Sequence, residues 1–332
     1  MVLRKSYEYD RFVCLAEGCP DSCCHEWEVL VDRQAADRYR NLEGPLGERL
    51  RQVLREDAGE VYMTLEGDRC PMWRGDGLCR IQAELGHEAL CRTCREFPRL
   101  KHDYGDFVEL GLELSCPEAA RLLLEEAEGP EWVEEHPGTG EADYDREAME
   151  VLLETRREAL ALTRDPGLSQ GEVLACLLLY GCEAQARLDG DPGAPFCPAA
   201  ALESARDLAR NGSMEEVREF FLGLDLLTER WENRLKNPLP QGNTNIRRLL
   251  RYFIRRHWLQ AVSDYDLYCR VKFMVIGCLL AAHLGGDFTQ TAQLFSKEIE
   301  NSCENLEAVL DGAYAHPALT DVKLLGLALG LA

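Results

Sequence analysis

The chain has 332 residues, 46% of them hydrophobic, and carries 37 basic against 59 acidic side chains for a formal charge of −22. That charge excludes a duplex nucleic-acid binder working through a basic face. The apolar fraction excludes disorder for most of the chain, and the length allows two domains.

From the N-terminus, Met1 to Phe12 is charged and aromatic, with no apolar run of a secretion signal, so the expected location is cytoplasmic. Residues 1–124 read as a cysteine-rich domain of short elements, broken by Gly and Pro. A short strand pair is expected at Glu28 to Val31 and Val61 to Leu65. Nine of the 15 cysteines fall here: Cys14, Cys19, Cys23, Cys24, Cys70, Cys79, Cys91, Cys94 and Cys116. Thiols clustered in a reducing compartment point to metal rather than to a disulfide framework. The run Cys14, Cys19, Cys23, Cys24 lets one loop wrap an ion, and adjacent Cys23 and Cys24 are hard to explain as packing because neighbouring side chains diverge. His25 keeps a mixed Cys/His zinc site open, while thiolates alone suit zinc and iron–sulfur clusters equally. Prolines follow Cys19, Cys70 and Cys116, as they do ligands of iron–sulfur sites. Leu78 to Phe97 has near-helical apolar spacing and stops before Pro98, which predicts one helix with Cys91 and Cys94 a turn apart.

Residues 125–145, dense in Glu and Asp and containing Pro130 and the run Pro137 to Gly140, read as a solvated acidic linker. Residues 146–332 read as an all-helical domain. Apolar residues recur at helical spacing over Arg146 to Leu162, Gly171 to Leu188, Ala200 to Asn211, Glu215 to Leu235, Asn245 to Val262, Ser296 to Leu310 and Ala313 to Leu331. The longest apolar stretch, the 13 residues Phe273 to Gly285, is too short to span a bilayer and reads as a buried helix, so no membrane partner is expected. Cys176, Cys182, Cys197, Cys269, Cys278 and Cys303 read as small hydrophobes on these helices. The stretch Asn245 to Val262 is basic in an acidic protein; Tyr252, Arg255, Arg256 and His257 are candidates to face a cavity. The expected fold class is mainly α, a cysteine-rich metal-binding N-terminal region followed by an all-helical C-terminal domain. No dinucleotide fingerprint, P-loop or nucleophile-elbow motif occurs, and Glu26 stands where a radical S-adenosylmethionine motif needs its third cysteine.

Taken together, Tyr9-Asp10-Arg11-Phe12, Cys19-Pro20-Asp21-Ser22-Cys23-Cys24, Arg69-Cys70-Pro71, Leu78-Cys79-Arg80, Cys91-Arg92-Thr93-Cys94, Phe97-Pro98-Arg99 and Ser115-Cys116-Pro117 resemble the flagellin lysine-N-methylases, the FliB-like proteins. In the helical half Tyr252-Phe253, Asp266-Leu267-Tyr268 and Phe295 to Asn305 look similar as well. The resemblance implies methyl transfer from S-adenosylmethionine to lysines of a protein substrate such as flagellin. It also implies an iron–sulfur cluster, [4Fe–4S] with zinc as the alternative, on the N-terminal cysteines. Under it Tyr252, Arg255 and Asn305 become candidates for cofactor contact, and His257 or Glu300 for the general base. The rival readings are a zinc- or iron-binding interaction module without catalysis, and a redox or metal-delivery protein.

Overall fold

A computed structural model describes residues 2–125, 129–135, 140–193 and 195–331. It is mainly helical, with seven strands among the described residues: β1 Val2–Ser6, β2 Val29–Val31, β3 Leu54–Asp57, β4 Glu60–Met63, β5 Arg99–Asp103, β6 Phe107–Leu112 and β7 Trp132–Glu135. The expected strand pair forms, as β2 and β4, with Val29 opposite Met63 and Val31 opposite Val61. Its partner β3 completes a three-stranded sheet, β2-β4-β3.

The second sheet, β5-β6-β1-β7, has no counterpart in the hydropathy pattern. Its central pair, β1 with β6, is parallel, and β5 and β7 flank it antiparallel. Phe107, Val108 and Glu109 of β6 are all buried, so no alternation marks the strand. The strand β7 lies in the stretch expected to be an acidic linker: Leu3 pairs with Glu135 and Ser6 with Trp132. Pro137, Gly138 and Thr139 of that stretch lie outside the described residues.

Two apolar cores divide the molecule differently from the sequence-based boundary at residue 124. The smaller is built from Val29, Val31, Tyr39, Leu50, Met63, Met72, Ile81 and their neighbours, with Cys70 and Cys91 among them. The larger begins at Phe12, takes in Phe107, Leu112, Leu114 and helix Pro117–Leu124, and runs on through the helical half.

Helices Arg146–Leu162, Gln170–Leu188 and Pro198–Leu208 stand close to where the periodicity puts them, the second opened by a Ser169/Glu172 capping box. Four expected helices are interrupted. Leu78 to Phe97 becomes Arg80–Leu85, a 3₁₀ turn His87–Ala89 and Arg92–Glu96, because Gly86 takes the left-handed φ of 86° that ends the first piece. Glu215 to Leu235 becomes Met214–Leu222 and Glu229–Lys236, the second capped by Thr228, whose hydroxyl accepts from the Trp231 amide. Ser296 to Leu310 becomes a π turn, Ser296–Glu300, followed by Cys303–Ala315, which Ser302 caps. Ala313 to Leu331 is broken at Pro317, and its last helix is Asp321–Leu329. The basic stretch is helix Ile246–His257 followed by a 3₁₀ turn, Trp258–Val262.

The buried apolar helix is longer than expected: Leu267–Leu284 has 18 residues and a mean hydropathy of 1.6, long and apolar enough to cross a bilayer by length and composition. In this fold 83% of that stretch is buried inside the protein. Of the six cysteines read as core, Cys176, Cys269 and Cys278 are buried, but Cys182, Cys197 and Cys303 are exposed.

Candidate functional site

The cysteine spacing becomes legible once the small core is built. Cys14, Cys19, Cys23, Cys94 and Cys116 line one cavity of about 200 Å³, walled by Phe12, Trp27, Phe97 and Lys297. Cys79, Cys91 and Cys116 each stand at the N-terminal cap of a helix, where the aligned peptide dipoles favour negative charge. The other four thiols, Cys24, Cys70, Cys79 and Cys91, are not part of that lining. Cys24 lies against Cys23 and Cys70, whose thiols hydrogen-bond to it and pull its pKa down to about 3. Cys23 and Cys70 are in turn pushed up by their hydrogen bonds to the Cys24 thiolate, and Cys70 by its burial as well. Cys91 and Cys94 form a similar pair, with Cys91 lowered by the Cys94 thiol. All nine thiols are free. Among the described residues no group of three or more His, Cys, Asp or Glu side chains is arranged to hold a metal ion. His25 packs its ring edge on Trp73 with Nε2 unpartnered, away from the cavity lining.

The loop that carries Cys19, Cys23 and Cys24 is fastened to the helical half by its acidic residues. Asp21 accepts from Gln293 Nε2 at 2.8 Å and from Lys297 Nζ at 3.2 Å, and Glu26 accepts from the same Nζ at 2.6 Å. Lys297 is 3% exposed and lies 5.2 Å from the Trp27 ring centre. It belongs to the π turn Ser296–Glu300, a distortion that turns side chains out of helical register.

Glu300 closes that turn, and its carboxylate is wholly buried. His257 Nε2 lies 2.7 Å from Oε1, Arg256 Nε lies 3.2 Å from the same oxygen, and the Tyr252 hydroxyl donates to Oε2 at 3.0 Å. The Tyr252 oxygen also accepts from Arg256 at 2.6 Å and from the Leu114 amide at 3.3 Å, which uses its full bonding capacity. Burial alone would raise the Glu300 pKa; the Arg256 guanidinium and the His257 hydrogen bond outweigh it and hold the carboxylate ionised below its ordinary range. His257 is lowered by burial. Glu113, 3.6 Å from Arg256, is raised by burial.

The structure therefore brings Tyr252, His257 and Glu300 into one network. It separates the other two candidates from it. Arg255 turns to Glu8 at 3.3 Å and Glu131 at 3.7 Å. Asn305 sits at the start of helix Cys303–Ala315, where its amide donates to the carbonyls of Asp225 and Glu298 at 2.8 and 2.9 Å and its Oδ1 accepts from the Asp225 amide. Those bonds splice two loops and leave no group for a ligand. Residues that periodicity alone passes over are Asp21, Lys297, Glu113 and His102. The signal for Lys297 is the polar run Ser296-Lys297-Glu298 set between apolar Phe295 and Ile299. His102 has no signal except alternation on β5, where Leu100 and His102 turn inward and Lys101 outward. His102, Tyr252, Arg255 and Arg256 meet at a second, much smaller cavity on the four-stranded sheet.

Over 121 residues the chain is 32% identical to the Lysine-N-methylase of Salmonella typhimurium, a stretch that covers 34% of this chain and 30% of that protein. The same figures of 32% and 30% hold for the Lysine-N-methylase of Salmonella choleraesuis. Over 120 residues it is 32% identical to the Flagellar biosynthetic protein FliU of Salmonella muenchen, and covers 71% of that protein. The match thus spans less than a third of the length of the two Salmonella methylases. No family model matches the chain, and no solved structure matches it.

Proposed function

Because the chain belongs to the flagellin lysine-N-methylase (FliB-like) family, we propose that it methylates lysine side chains of a flagellin-like protein with S-adenosylmethionine as donor. The observation that carries this reading is the kinship itself, 32% identity covering 71% of FliU. An amine attacks a sulfonium methyl only as the free base, so the chain's part in the reaction is to strip water and the proton from a lysine and hold its nitrogen in line. The network of Tyr252, Arg256, His257 and Glu300 supports a rigid, dry wall for such a site, with every oxygen of Glu300 and Tyr252 bonded. Glu300 is enclosed and Arg256 holds it as the anion, so it positions Tyr252 and Arg256 and does not reach a substrate. Of the residues expected to contact the donor, Tyr252 and Arg255 share the small cavity on the four-stranded sheet, while Asn305 lies apart and is taken up by backbone carbonyls.

We extend the proposal to an iron–sulfur cluster on the N-terminal cysteines. The donor set fits in kind: five free thiols line one cavity, and the low pKa of Cys24 beside it supplies a thiolate. Cys14, Cys19, Cys23, Cys94 and Cys116 would be the source of its ligands. When bound, such a cluster supplies a one-electron centre and a four-point staple for the loop. Methyl transfer consumes no electron, so the staple is the role these residues support. A net charge of −22 favours approach of a lysine-rich surface at low salt.

The test is anaerobic purification, iron, sulfide and zinc analysis, then incubation with S-adenosylmethionine and flagellin followed by mass spectrometry of the lysines. Methylated lysine that depends on the donor supports the reading. Cluster-loaded protein that yields no methylated lysine on flagellin or on basic peptides sinks it.

A further inference from the structure

The small cavity on the four-stranded sheet is built in a way that suits an alkylamine. Pairing across the sheet places side chains of opposed residues on one face. Leu100 is opposite Gly111, Ser6 is opposite Trp132, and His102 is opposite Glu109. Gly111 leaves a gap in this row: a Cβ there would meet no atom within 4 Å, and its φ lies outside the left-handed range. Helix Ile246–His257 roofs the gap with Tyr252, Arg255 and Arg256. The cavity volume is about 30 Å³. Roughly 10–15 Å³ of this kind admits one water, so the slot is far too small for an adenosine group and suits an unbranched chain.

Its chemistry is divided. Leu100, Leu110, Leu112, Leu123 and Trp132 give an apolar lining. Two polar atoms in the same lining have no hydrogen-bond partner among the described residues: Ser6 Oγ, on a residue 4% exposed, and His102 Nε2. Orphaned buried groups of this kind cost free energy until something meets them. The nearby charges are already matched, with Glu109 held by Arg156 at 2.6 and 2.7 Å, Arg256 by Glu300, and Arg255 by Glu8. A free carboxylate would therefore gain no unpaired cation here. A butyl stem with a nitrogen at its end would cover the apolar lining and donate to His102 Nε2 and Ser6 Oγ.

We propose that this slot, between β5, β6, β1 and β7 and the roof of Tyr252 and Arg256, receives the side chain of the substrate lysine. The assignment rests on the methylase reading. The apolar lining disfavours an ammonium and favours the neutral amine, the form that attacks a methyl group. His102 acts as an acceptor that fixes the nitrogen, and Glu300 acts on the slot only through Tyr252 and Arg256.

The experiment uses n-butylamine as a stand-in for the side chain and the ¹⁵N resonances of histidine-labelled protein as readout, with His102 assigned from the spectrum of His102→Asn. A saturable shift of His102 with butylamine, absent with n-butanol, is expected in the unaltered protein. Gly111→Leu should fill the slot and weaken the binding at least tenfold while circular dichroism stays unchanged; Gly111→Ala, a smaller plug, should weaken it less. No saturable shift in the unaltered protein, or equal binding by a folded Gly111→Leu, overturns the slot. Flagellin methylation measured in parallel separates the two claims: methylated lysine with no butylamine site removes the slot alone, and a butylamine site with no methylation by any loaded preparation removes the methylase reading and the lysine assignment with it, leaving an alkylamine site.

Discussion

His102 and Glu298 show how single buried groups tilt stability with pH in opposite directions. Burial, followed by the charges of Arg256 and His257, pushes the His102 pKa from 6.5 down to about 4, with Glu109 opposing. Between those values the unfolded imidazole binds a proton and the folded one does not, so folding weakens as pH falls through that window. At about 1.4 kcal/mol per pKa unit the loss amounts to about 3 kcal/mol. Glu298 is raised by burial from 4.5 to about 7. Here the folded carboxyl keeps a proton that the unfolded one has released, so stability falls as pH rises between those values. The two effects oppose each other, which predicts a shallow dependence in the unaltered protein from pH 4.5 to 6.5. His102→Asn should remove the acid-side loss, leaving a protein whose urea midpoint declines with rising pH over that range. Glu298→Gln should do the reverse. A His102→Asn variant displaced from the parent by the same amount at both ends of the range would show that His102 does not titrate as its surroundings require.

At the scale of elements, the π turn Ser296–Glu300 joins the two chemistries of the molecule. Its first part carries Lys297 to the cysteine loop and its last residue carries Glu300 to Tyr252 and His257. Glu300 was a candidate through the family resemblance of Phe295 to Asn305, but a π turn has no propensity signature and the partner of Lys297 lies more than 270 positions away. The same limit hid the sheet. β1 and β6 are parallel strands separated by a hundred residues, each too short or too evenly buried to alternate, whereas the local pair β2 and β4 was readable from Val29, Val31, Val61 and Met63. Helix existence was legible from periodicity, but breaks at Gly86, Thr228 and Pro317 depended on turn and cap geometry. Asn305 is a polar residue of the same stretch whose side-chain bonds go to backbone, which no spacing pattern foretells. Lys297→Met tests the element directly, because it leaves Asp21 and Glu26 without their shared cation. Alkylation of Cys19 and Cys23 by iodoacetamide should accelerate several-fold under native conditions, with little change at Cys278, which is buried in the helical core. Unchanged rates at Cys19 and Cys23 would mean the loop is held by its own backbone.

At the scale of the whole molecule, the two cores carry different reserves. The larger gathers buried Trp231, Trp258, Phe221, Phe253, Phe273 and Phe295 with most of the helices. The smaller, within residues 29–91, rests on three short helices, a three-stranded sheet and Tyr39, whose hydroxyl donates to the Ala89 carbonyl at 2.8 Å. An apolar core on that scale is marginal without a cross-link, and its cysteines form no disulfide. The cavity thiols Cys14, Cys19, Cys23, Cys94 and Cys116 lie outside residues 29–91, and Cys116 belongs to the larger core, so a ligand that binds only their folded arrangement would cross-link the smaller core to the larger and stabilise the smaller by mass action. Urea unfolding followed by hydrogen exchange and mass spectrometry should therefore resolve two transitions in metal-free protein, the first in residues 29–91. Reconstitution with iron and sulfide, or with zinc, should move the first toward the second, and a chelator should restore the gap. The order follows from the anchoring as well: the cysteine loop is tied to the helical half through Asp21 and Glu26, so the helical half is the fixed partner and the thiol module the one that detaches. A single transition that metal shifts as a whole would mean the cores melt as one unit, and the thiols would then be stabilising the entire chain, not one module of it.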